Sequence, residues 1–188
     1  MVLAIHSDAS YLNEPNARSR VGGHHFLSSN NAIPANNGAV LNISQILKAV
    51  MSSAAESELG GLFVNAKHAV PQRKLLEELG HPQPPTPIQT DNSTAYGVVT
   101  NKIQPKATKS MDMRFHWLRD RESQKQFRIY WRPGPTNRAD YWTKQHPGKH
   151  HAHVRPEFLT PYKVVEALWR VLAKRQQPAA QTLIARVC

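Results

Sequence analysis

Four acidic residues of this 188-residue chain stand where short apolar segments end or where helices begin, and this placement constrains the fold more than any other feature. Asp8 follows Val2-Leu3-Ala4-Ile5-His6-Ser7, and Glu58 lies just behind Ser52 and Ser53. Asp91 follows Ile88-Gln89-Thr90, and Asp140 follows a proline-glycine turn. Carboxylates avoid apolar surroundings unless a partner compensates the charge, and four gathered together repel one another without cations. The sole cysteine, Cys188, forms no internal disulfide and builds no thiolate zinc site. Hard divalent cations such as magnesium take oxygen ligands and keep several waters. Two of them about 4 Å apart activate a water and stabilise the leaving oxygen of a phosphodiester. Taken singly, each acid would be a solvated residue or a helix cap. Taken together, Asp8, Glu58, Asp91 and Asp140 are expected to be both catalytic and metal-binding, with two Mg2+ ions as cofactor and Mn2+ as the alternative.

The surrounding segments supply the elements. The opening run suits a buried strand, and its abrupt start suggests a chain that once extended upstream. Residues 21–27 and 39–43 suit further strands, with Asn36-Asn37-Gly38 as the turn between them. Ser53 is an N-cap with Glu56 three residues on, in capping-box spacing. Leu59, Leu62, Phe63 and Ala66 then form one apolar helix face toward Ala69. Pro71 predicts a kink or a break, after which residues 72–79 resume the helix and Gly80 caps it. Beyond a loop with Pro82, Pro84, Pro85 and Pro87, residues 88–91 form a strand, and Asn92 or Ser93 caps a helix through Tyr96 and Val99. A helix over about 110–122 and a strand through Phe127, Ile129 and Trp131 follow. The turn from Pro133 to Asn137 leads into a helix start carrying Asp140.

Residues 146–153 read as polar and irregular. Their histidines, His146, His150, His151 and His153, are assigned to a solvated basic segment rather than a zinc site, because a loop with Pro147 and Gly148 offers little rigidity. Thr160-Pro161 opens a last helix with Val164, Val165, Leu168, Val171 and Leu172 as its stripe. The expected division is one domain over 1–160 and a C-terminal basic amphipathic helix and tail over 161–188. Trp117, Trp131 and Trp142 are expected in the core, and one of His24 and His25 on the surface by strand alternation.

Lysine and arginine total 24 against 13 acidic residues, a net charge of +11 and a pI near 10.1, which favours a polyanionic partner. Lys102, Lys106, Lys109 and Arg114 are the candidate nucleic-acid contacts, positioned to follow a phosphate backbone. There is no apolar run of about 18 residues to span a bilayer. The apolar start is also too short for a secretory signal. The expected location is intracellular, cytoplasmic or nuclear, without membrane or secretion.

The local contexts of the four acids resemble the ribonuclease H domain of copia-type retrotransposon polyproteins, from about Leu3 to Leu159. His6-Ser7-Asp8-Ala9-Ser10 is similar to the family's S-D-A strand, and Ser52 to Leu59 resembles its serine-rich S-S…E-A-E-Y helix start. Glu58 aligns with the catalytic glutamate and Glu56 with the capping one. Thr90 to Ala95 is similar to C-D-N-x-x-A, Lys109 to His116 to K-H-I-D-I-R-Y-H, and Asn137 to Lys144 to A-D-x-x-T-K. Each motif is weak alone, and their order is specific. The resemblance implies an α/β, ribonuclease H-like fold, a five-stranded mixed sheet flanked by helices on both faces. It implies metal-dependent endonucleolytic cleavage of the RNA strand of RNA–DNA hybrids. The hybrid is the expected partner, with the reverse transcriptase portion of the parent polyprotein as a further one. The chain departs from the pattern in three places. The loop from Trp131 to Asn137 lacks the histidine of cellular ribonucleases H, Leu59 replaces an aromatic, and the Asp-Asp motif of a polymerase is absent.

Two rival readings share these features. A decayed remnant of the element would bind nucleic acid without cutting, although the four intact acids favour a nuclease. A transposase or integrase core would order its acids Asp, Asp, Glu, whereas the glutamate here comes second.

Overall fold

A computed structural model of the chain describes residues 1–101, 113–158 and 167. The chain divides into two compact units, Met1–His146 and Pro147–Cys188. In the first, β1 (Val2–Ala9), β2 (Arg20–Ser28), β3 (Ala39–Ile46), β4 (Thr86–Thr90) and β5 (Phe127–Trp131) form one sheet in the order β3-β2-β1-β4-β5. β2 runs antiparallel to both β1 and β3, while β4 runs parallel to β1 and β5. The helices α1 (Ala54–Glu78), α2 (Ser93–Val99) and α3 (Met113–Ser123) flank it. This is the five-stranded mixed sheet with flanking helices that the motif order implies. Among the described residues no helix is long and apolar enough to cross a membrane.

Leu3 and Ile5 of β1, Leu62 and Ala66 of α1, Ile88 of β4 and Phe127 of β5 build the main core. Each large side chain buried there stabilises the fold by about 1.5–3 kcal/mol. The Ser53 hydroxyl accepts the N–H of Glu56 at 3.2 Å and so starts α1, while Glu56 Oε2 accepts the N–H of Ser52 at 2.6 Å. The reciprocal cap expected at Ser53 thus closes one residue earlier. Pro71 does not break α1, which is continuous to Glu78. Pro71 and Lys67, whose carbonyl loses its helical donor there, are both exposed, so water can satisfy that carbonyl, while Ala66, Ala69 and Leu76 carry the buried stripe past it.

His24 and His25 are both buried, against the expectation that one would face solvent. Alternation holds, but β2 is an internal strand whose two faces are both covered. His25 bonds Asn65 Oδ1 and Gln72 Nε2 of α1 at 3.0 Å each. His24 bonds Asn42 Oδ1 at 3.1 Å and the Asn37 carbonyl at 3.2 Å, beside the rings of His6 and Phe26.

In the second unit α4 (Gly148–Phe158) replaces the irregular segment expected over 146–153. The Pro147 carbonyl accepts the N–H groups of His150 and His151 at 2.9 and 3.3 Å. Proline and glycine therefore mark a helix start, where a missing N–H costs nothing. The last helix expected from Thr160 lies outside the described residues apart from Ala167.

Candidate metal and active site

Three of the four predicted acids meet at one end of the sheet. Asp8 is the penultimate residue of β1, and Asp91 directly follows its parallel neighbour β4. Glu58 comes from the first turns of α1. One carboxylate oxygen from each of Asp8, Glu58 and Asp91 lies within 4.8 Å of the others. Gly61 lets α1 approach this closely, because a Cβ there would stand 3.2 Å from both the Asp8 carbonyl oxygen and the Ala9 Cβ. Asp140 lies beside the group, on the 3-10 turn Arg138–Trp142, where its carboxylate pairs with the Lys144 ammonium. Its charge still acts on Asp8 and Asp91.

Burial makes this end of the sheet costly for negative charge. Glu58 is 6% exposed, and one of its oxygens accepts the Ala9 N–H at 3.3 Å. Its other oxygen, Oε2, is buried and has no hydrogen-bond partner among the described residues. Burial first, then the charges of Asp8 and Asp91, push the Glu58 carboxyl up to about 9. Burial likewise pushes Asp8 up to about 6; Asp91 and Asp140 add to the rise, and the Thr143 hydroxyl and Lys144 oppose it. Asp91 is raised as well, chiefly by burial. An unpartnered buried oxygen among mutually repelling carboxylates is a site short of positive charge, and its oxygen-only donors suit a hard divalent cation. Asp8, Glu58 and Asp91 together can therefore hold a metal ion.

Comparison with known proteins bears on the fold that carries this group. No protein-family model matches the chain. The retrovirus-related Pol polyprotein of transposon TNT 1-94 from Nicotiana tabacum is 25% identical over 143 residues, which is 76% of this chain. The chain spans about a tenth of that polyprotein's length. LC11-RNase H1, isolated from compost by a metagenomic approach, superposes with a TM-score of 0.55 at 11% identity, over 74% of this chain and 91% of that one. This chain has the ribonuclease H fold. The same enzyme in complex with an RNA/DNA hybrid gives a TM-score of 0.55 at 12% identity, over 74% of this chain and 92% of that one. The resemblance to a retrotransposon polyprotein read from the motifs therefore stands beside a ribonuclease H fold.

Residues that sequence reasoning left unassigned support the acids of this ribonuclease H fold. The Thr143 hydroxyl, fully buried, donates to Asp8 Oδ2. Asn137 donates from Nδ2 to the Ser7 carbonyl at 2.8 Å and accepts the Ala139 N–H on Oδ1 at 3.1 Å, which pins the 3-10 turn to β1. Gly22, the register partner of Asp8, leaves room for that turn, since a Cβ there would lie 2.3 Å from the Ala139 carbonyl oxygen. Thr143 and Lys144 were visible in the sequence as the end of the A-D-x-x-T-K match. Gly22 carried no local signal, because its neighbour lies more than a hundred residues away.

The expected nucleic-acid contacts fare differently. Lys102, Lys106 and Lys109 lie outside the described residues. Arg114 is on α3 and lines a groove of about 630 Å³ with Phe63, Val70 and Trp117, and none of the four predicted acids is among the lining residues. Trp131, expected in the core, is 46% exposed. It ends β5, an edge strand, and its indole N–H donates 2.9 Å to the Asp91 carbonyl, so its polar edge turns toward the site and its ring is left uncovered.

Proposed function

We propose that this chain is a metal-dependent endonuclease that cleaves the RNA strand of RNA–DNA hybrids, and that it derives from a retrotransposon polyprotein. The observation that carries the reading is the convergence of one carboxylate oxygen from each of Asp8, Glu58 and Asp91 within 4.8 Å of one another, with Glu58 Oε2 buried and lacking a hydrogen-bond partner among the described residues. In this reading these three residues, with Asp140 beside them, are the catalytic and metal-holding groups, and Mg2+ is the natural ion, with Mn2+ as its substitute. When bound, two such ions would supply an activated water and a stabilised leaving oxygen at the scissile phosphate. The chain's own part is to hold the carboxylates on rigid elements: β1 and the end of β4 carry the aspartates, and the first turns of α1 carry the glutamate. Thr143 keeps Asp8 oriented and favours its charged form.

The net charge of +11 supports a polyanionic substrate. Lys102, Lys106, Lys109 and Arg114 remain the proposed phosphate contacts, and a hybrid would be told from DNA through its geometry and 2′-hydroxyls. The reverse transcriptase portion of a parent polyprotein is a further proposed partner. We also propose residues 1–160 as the nuclease domain and 161–188 as an extension, so that a chain ending at 160 keeps a cooperative thermal transition. The deciding experiment is cleavage of a labelled RNA–DNA hybrid by the full chain with Mg2+, with Mn2+ and with EDTA. Metal-dependent cuts confined to the RNA strand support the reading. Hybrid binding without cuts in either metal would replace it with a non-cutting remnant.

A further inference from the structure

The A-D-x-x-T-K segment places a cation among the acids. Lys144 pairs with Asp140 one helical turn away, and its charge also acts on Asp8, Glu58 and Asp91. Its backbone is anchored: the preceding residue, Thr143, is fully buried, donates its hydroxyl to Asp8, and gives its N–H to the Asp140 carbonyl at 3.2 Å. The Lys144 side chain is nevertheless 56% exposed and that of Asp140 32%. A long, exposed side chain on a fixed base can leave its partner for solvent at little cost, because exposed ion pairs are weak.

The geometry points to Lys144 as a resident counter-ion that holds Asp140 in competition with a divalent cation. This inference rests on the reading of the carboxylate group as a metal site. Asp8, Glu58 and Asp91 already form one oxygen cage without Asp140. A first ion can enter that cage while Lys144 stays in place. A second ion that uses Asp140 must displace the ammonium, since the two compete for the same carboxylate and repel one another. Lys144 thereby sets a gap between the first and second metal affinities and lowers the repulsion among the acids until the second ion arrives.

The test counts Mn2+ ions bound by the full chain without nucleic acid, using the electron paramagnetic resonance signal of free Mn2+. Lys144→Met is expected to bind the second ion about two- to fivefold more tightly than the parent, the range an exposed ion pair is worth. The first ion's affinity should change less, and Lys144→Arg should match the parent. In a Lys144→Met, Asp140→Asn chain the gain should disappear. A Lys144→Met chain that melts cooperatively and binds both ions as the parent does overturns the inference while leaving the metal site standing. A parent chain that binds no Mn2+ removes the metal site itself, and the inference with it.

Discussion

The backbone N–H of Arg138 donates to Nδ1 of His6 at 3.1 Å, tying the middle of β1 to the start of the turn that carries Asp140. Nδ1 accepts only when the ring is neutral with its proton on Nε2. Burial first, then the charges of His24, Arg138 and Arg132, lower the His6 pKa to about 3, so the acceptor persists through the whole neutral range. His6→Leu keeps the bulk and leaves that N–H without its partner. The expected loss is about 1–3 kcal/mol of stability, measured by urea unfolding. Single-turnover cleavage should slow while hybrid affinity holds, because Asp140 loses its support and the binding surface does not. A variant with parental stability and rate would make this bond incidental.

Asp91→Asn and Glu58→Gln test the site directly. Each keeps the side-chain shape and removes from the three-residue oxygen group a carboxyl that can ionise to bind a cation. Mg2+-dependent cleavage of a labelled hybrid should fall below detection in both, with hybrid binding by fluorescence anisotropy unchanged. An Asp91→Asn chain that cuts at the parental rate would remove Asp91 from the site.

Glu58 also gives the metal-free chain a pH-dependent stability of known sign. Its carboxyl titrates near 4.5 when unfolded and near 9 when folded, so the folded state holds the proton longer. Such a group stabilises fully below about pH 4.5, and that contribution is lost as pH rises through about 9. Asp8, raised to about 6, has lost its share by neutrality. His6 and His25, lowered to about 3 and about 4 by burial, act in the opposite sense but only below their unfolded value of 6.5. Between pH 7 and 9 Glu58 therefore dominates. In EDTA the parent should lose about 1 kcal/mol per pH unit across that window by denaturant unfolding, and Glu58→Gln should flatten the slope. A parent with a flat profile would mean that Glu58 ionises normally.

Much of this was legible from the order of residues. The strand ends at Asp8 and Asp91, the Ser53 cap ahead of Glu58 and the turn before Asp140 are local signals, since apolar runs, capping residues and turn residues act within a few positions of themselves. Read together with the family resemblance, those signals lead to an expected convergence of four acids, of which Asp8, Glu58 and Asp91 share one oxygen group while Asp140 pairs with Lys144. What stayed hidden depends on distant neighbours. The double burial of His24 and His25 needs the covering of both sheet faces, and the exposure of Trp131 needs its place on an edge strand beside Asp91. The unbroken passage of α1 through Pro71 needs a packed stripe on both sides of the proline. The Pro147-Gly148 pair misled because the same residues that end structure in a loop also begin a helix.

Thr143 shows how one hydroxyl tunes the site. It is fully buried, and its bond to Asp8 is the largest influence favouring the charged carboxylate, against burial and the nearby acids. Thr143→Val preserves the volume and removes the donor, so the Asp8 carboxyl should rise above about 6. A hydrogen bond to a charged group is worth about 1.5 kcal/mol, or about one pKa unit. Metal binding needs the deprotonated carboxylate, so Mn2+ affinity at pH 6 should drop about fivefold and the gap should close toward pH 8. Thr143→Ser, which keeps the hydroxyl, should follow the parent at both pH values. A purely structural role for Thr143 would instead lower affinity equally at pH 6 and pH 8, and calorimetric titration at the two values separates these outcomes.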